Sequence, residues 1–154
     1  MMKSSYSKTL KFSLMAAILA LSACTSDRQT SEAERKVAAL QIRYPHYNFV
    51  IVQSDNSNAM ADAVLVGTLR SGVASANARQ IVDQLRSPQA PYVAVLGDGD
   101  TMAAATLERA LADGKDKIPA GRSVMFVGDR KYEPPLKAAA AHAGVTLEFV
   151  AFPS

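Results

Sequence analysis

The chain has no tryptophan, a single cysteine and two histidines among its 154 residues. One thiol cannot form an internal disulfide, and two histidines without further cysteines make a poor zinc ligand set. No P-loop and no G-x-S-x-G elbow is present. A Ser-His-Asp triad can be drawn from Ser75 or Ser123 with either His46 or His142, but no spacing supports the choice. Excess charge is also missing once its position is considered. Lys3, Lys8 and Lys11 are the only charged residues before position 24, so the remaining 14 Lys and Arg face 14 Asp and Glu. The +3 of the whole chain therefore belongs to its first segment, and no basic surface points to nucleic acid. The basic pair Arg130-Lys131 is short and flanked by Asp129 and Glu133, as in a solvated loop.

No apolar run is long enough to cross a bilayer. Phe12 to Leu21 offers ten mostly apolar residues, about half of what a spanning helix needs. Behind three lysines, that length suits a secretory leader. Small residues follow at Ser22 and Ala23, and then comes Cys24. The tetrapeptide Leu21-Ser22-Ala23-Cys24 resembles the lipobox of bacterial lipoprotein precursors. The resemblance covers residues 1–24 alone. It implies a signal peptide over 1–23, cleavage before Cys24, and acyl chains of the palmitate kind on Cys24. Thr25 stands where an aspartate favours inner-membrane retention in the enterobacterial version of this class, so the resemblance implies an outer-membrane anchor facing the periplasm. Residues 24–30 are the lipidated cysteine and a polar tether, and Thr25 to Thr30 reaches at most about 20 Å.

Removal of the leader leaves 131 residues, the size of one domain, expected over 31–154. Ser31 and Glu34 are spaced as a capping box. Ala33, Val37, Leu40 and Tyr44 then form a helical stripe that Pro45 ends. Asn48 to Gln53 reads as a buried strand and Asp55 to Asn58 as a turn. Ala63 to Leu69 reads as a strand on Val64, Leu65 and Val66, against a competing helical face of Met60, Ala63, Val64 and Gly67. Ala78, Ile81, Val82 and Leu85 mark an amphipathic helix.

Two similar units follow. Tyr92 to Leu96 leads into Gly97-Asp98, then a helix with Ala104, Leu107 and Leu111 on one face and Gly114 as its expected cap. Ser123 to Val127 leads into Gly128-Asp129, then Pro134-Pro135 and a helix carrying Leu136, Ala139, Ala140 and Ala143, capped by Gly144. The Gly-Asp pairs lie 31 residues apart. Val145 to Ala151 closes the chain as a strand with Thr146 and Glu148 on an edge face. Strands alternating with helices predict a three-layer α/β domain with a mostly parallel sheet of four or five strands.

In such a sheet, ligands bind beyond the carboxyl ends of the strands. Asp55, Asp98, Asp100 and Asp129 all follow predicted strands there, and carboxylates so gathered, Asp98, Asp100 and Asp129 above all, suit a hard cation such as Mg²⁺. The competing reading makes Asp100 the cap of a helix starting at Thr101, with Gly97 and Gly99 shaping the turn and the other aspartates solvated. Gly97-Asp98-Gly99-Asp100-Thr101-Met102 lacks the third glycine of a dinucleotide loop and puts acids where phosphates would lie. Tyr44, Tyr47 and Phe49 form the densest aromatic group, which reads as core or as a partner-binding patch at Tyr44 and Tyr47. The sequence thus favours a non-enzymatic envelope accessory module that binds a protein partner. The alternative is a metal-dependent hydrolase or phosphate-ligand binder using the three aspartates.

Overall fold

A computed structural model describes residues 31–52, 59–73, 75–90 and 92–152. The leader, Cys24, the tether and the turn expected at Asp55 to Asn58 lie outside the described residues. In chain order the elements are α1 (Glu32–Gln41), β1 (Asn48–Val52), α2 (Ala59–Arg70), α3 (Ala76–Arg86) and β2 (Tyr92–Gly97). They continue with α4 (Asp100–Gly114), β3 (Ser123–Gly128), a 3₁₀ turn (Arg130–Tyr132), α5 (Glu133–His142) and β4 (Thr146–Ala151).

The four strands are all parallel, in the order β1-β2-β3-β4. Each crossover moves to the next neighbour in the same direction, and right-handed crossovers then put every connecting helix on one face. Val50, Val52, Val93, Val95, Val124 and Phe126 point to that face and form one core with residues of α2, α3, α4 and α5. Ala94, Leu96, Met125 and Val127 form a second core with Ala33 and Leu40 of α1. Among the described residues the domain therefore has three layers, with α1 alone on one side.

The capping box at the start of α1 is formed in both directions: Glu34 N–H donates to Ser31 Oγ at 3.1 Å and Ser31 N–H to Glu34 Oε2 at 3.0 Å. Helix α4 sits centrally. Ala103, Ala104, Ala105 and Ala110 are all buried, and their small side chains let the helix lie close to the sheet. Gly144 ends α5 with φ +71°, a backbone region that favours glycine.

Three local expectations differ from the structure. Ala63 to Leu69 is helical, within α2. Its apolar run has no alternating pattern, and Val66 and Leu69, three apart, are the residues that enter the core. Gly114 belongs to α4 and does not cap it; Lys115 is the C-cap. Asp100 is the first residue of α4, whose N-cap is Gly99, and no side chain caps that end. Its carboxylate is used elsewhere.

Candidate functional site

The carboxyl ends of β2 and β3 carry the polar centre of the molecule. The turn after β2 supplies Asp98 and Asp100, the end of β3 supplies Gly128 and Asp129, and α1 comes over the edge with Lys36. Lys36 is fully buried. Its ammonium lies 2.6 Å from Asp100 Oδ1 and 2.6 Å from Glu32 Oε1, and donates to the Gly97 carbonyl at 3.1 Å. The Phe152 ring, its centroid 5.9 Å away, flanks it. Asp100 Oδ2 accepts the Asp129 backbone N–H at 2.8 Å. Asp98 Oδ1 accepts the Ala33 N–H at 2.8 Å, satisfying a free donor in the first turn of α1.

The fold therefore places the three aspartates along one edge, but gives each a different task. Asp129 turns its carboxylate to its own loop, accepting the Lys131 N–H at 2.9 Å. That bond chiefly holds the carboxyl below the usual carboxylate range. Among the described residues no group of three or more His, Cys, Asp and Glu side chains is arranged to hold a metal ion. Asp98 Oδ1 and both Asp100 oxygens are taken by two backbone N–H groups and an ammonium, and a buried ammonium 2.6 Å from Asp100 repels a second cation there.

Lys36 was absent from the sequence-based site. Its signal was present in its position, because it lies in phase with Ala33 and Leu40 on the inward stripe of α1, where a lysine must find partners. Gly97 and Gly128 serve close approach as well as turning. A Cβ on Gly97 would lie 2.5 Å from the Val52 carbonyl oxygen, and one on Gly128 would lie 2.8 Å from the Asp100 carboxyl carbon.

Tyr44 and Tyr47 are half-buried against the α1-side core. Their rings meet edge to face at 5.6 Å, and Tyr47 leans on exposed Tyr92 at 5.3 Å. Burial, then the hydrogen bond from its hydroxyl to Glu148 and the charge of that carboxylate, push Tyr47 well above the usual tyrosine range. These rings serve the core and leave one edge at the surface. His46 is exposed, and His142 Nε2 lies 3.1 Å from Lys115 Nζ, so neither joins the aspartates.

A second region lies at the carboxyl end of β1. A cavity of about 350 Å³ opens between α2, α3 and α4. Val52, Leu65, Leu69, Val73 and Met102 make its walls, and Asp62 enters from α2. Asp62 Oδ1 is shielded from solvent and has no hydrogen-bond partner, one of two such side-chain atoms among the described residues. Beside it α2 exposes Met60, Val64 and Leu65, at 78%, 64% and 49% of their surface. No strand-based reading of this stretch could have found either feature.

Comparison with protein-family models, with curated proteins and with solved structures finds no match to this chain.

Proposed function

We propose that the chain is a lipid-anchored protein of the bacterial envelope, tethered through Cys24 to the outer membrane and facing the periplasm. Its α/β domain binds an envelope protein and turns over no substrate. The observation that carries this reading is the outer face of α2, where Met60 and Val64, one turn apart and 78% and 64% exposed, lie with Ala63 and Gly67. Contiguous apolar surface of this kind marks interaction sites. Among the described residues, no atom outside its own stretch of helix lies within 4 Å of where a Cβ on Gly67 would stand, so the backbone of α2 is open there to an apolar helix of the partner. The ion-pair cluster at the ends of β2 and β3 supports the same reading, since both oxygens of Asp100 and one each of Glu32 and Asp98 are already engaged within the fold.

Photocrosslinking in the native cells tests it. A photoreactive residue at Val64 is expected to give one discrete adduct, and the same residue at exposed Lys137 on α5 none. Equal labelling at both positions, or none at Val64, would remove the reading. Labelled palmitate is expected on the wild-type chain and absent from Cys24→Ser.

A further inference from the structure

We infer that the cavity between α2, α3 and α4 is a binding site for a small cationic amphiphile, an alkylammonium whose apolar body fills the cavity and whose head pairs with Asp62. The inference is independent of the proposed protein partner and of the lipid anchor.

Size, lining and charge all point to this class. About 350 Å³ lies at the lower end of the range for small-molecule sites. The walls supplied by Val52, Leu69 and Met102 are buried apolar side chains, and Leu65 and Val73 form a half-open mouth. An apolar body gains there by leaving water. Thr68, Ser75, Asn77 and Thr106 add neutral polar groups to the lining, and Asp62 is its one acidic side chain, which in the ionised form only accepts. Its Oδ1 is buried without a donor, a costly state that a charged N–H relieves. A fatty acid would bring a second negative charge beside it, and an alcohol only a neutral donor.

The position agrees. Val52 is the last residue of β1, so the cavity lies beyond a strand's carboxyl end, where open parallel sheets bind ligands. The corresponding places beyond β2 and β3 are filled by the Lys36 cluster. Among the described residues, the cavity lies at the end of β1.

The full chain in a nonionic detergent micelle, titrated with hexylamine, hexan-1-ol and hexanoate, tests the assignment. Methyl NMR signals of Leu69 and Met102 report the site directly and separate it from partition into the micelle. Both signals are expected to shift saturably, with hexylamine bound about tenfold or more tighter than the other two, as one charge-assisted hydrogen bond requires. In Asp62→Asn, hexylamine falls to the affinity of hexan-1-ol. Val73→Trp, which adds bulk at the exposed mouth, weakens all three. No saturable shift, equal affinities for amine and alcohol in the wild type, or an amine preference that survives Asp62→Asn would each overturn the proposal. The wild-type ligand order decides even if one variant fails to fold.

Discussion

Lys36 is where a single residue does most for the structure. A lysine pays about 2 kcal/mol of side-chain entropy when fixed, and loses its hydration when fully buried. It is retained here because its three donors find Glu32, Asp100 and the Gly97 carbonyl. One ammonium thereby joins α1 to the ends of β2 and α4, while Asp100 carries the link to β3 through the Asp129 N–H. Lys36→Met keeps the length of the side chain and removes its charge, leaving the Asp100 carboxylate at 9% exposure without a counterion. A loss of about 3 kcal/mol is expected, as for other buried pairs broken on one side. The midpoint of urea unfolding measures it. Adding Asp100→Asn to Lys36→Met should restore much of the loss, because the stranded charge is then gone and the carboxamide oxygen still accepts the Asp129 N–H. A double variant as unstable as the sum of the two singles would mean that the pair is not coupled.

Among the elements, α2 is the one that departs from the rules the others follow. Helices α1, α3 and α4 each bury a regular stripe, whereas α2 sends Val66 and Leu69 inward and leaves Met60, Ala63, Val64 and Gly67 outside. Gly67 lies in the interior of α2 with ordinary φ and open space where a Cβ would go. Gly67→Ala should therefore stabilise the domain by about 0.5–1 kcal/mol, the cost of glycine inside a helix. The same urea midpoint reads this gain, and a loss of stability would mean that the α2 backbone is not helical there. If α2 docks a partner helix, the variant should also weaken the Val64 adduct, so stability and binding move in opposite directions.

The contrast explains what the sequence could reveal. Ser31 with Glu34, the Ala78 to Leu85 stripe, and the Gly-Asp turns after β2 and β3 each carry a local signal, and each lies in the structure as its pattern indicates. The stretch from Ala63 to Leu69 does not, because a helix apolar on both sides loses the period that distinguishes it from a buried strand. The strand order and the single-sided crossovers were beyond local reading, although alternation of strand and helix sufficed for the three layers. At the candidate site, the aspartates were legible as strand-end residues. Their partners were not, since Lys36 lies more than 60 residues from Asp98 and Asp100 in the chain.

At the scale of the whole molecule, the two ends of the sheet differ in what they face. The Ala33 N–H bonds to Asp98, so α1 begins at the carboxyl edge and the chain enters the domain there. On the proposed anchoring, a tether of at most about 25 Å between Cys24 and Ser31 holds that edge toward the bilayer. The strands, six residues or fewer, separate the two edges by about 20 Å. Residues 24–154 carry equal numbers of charges of each sign, so no net attraction to anionic lipid competes with the tether in setting this orientation. Single probes at exposed Arg130, beside the end of β3, and at exposed Lys117, before the start of β3, sample the two edges. With lipidated protein in vesicles carrying a headgroup energy acceptor, transfer from position 130 should exceed that from position 117. Cleavage of the tether should abolish both signals. Equal transfer from the two positions would mean that the domain tumbles freely on its tether. Stronger transfer from position 117 would mean that the amino edge is held to the membrane by contacts of its own, and the face offered to partners would have to be reassigned.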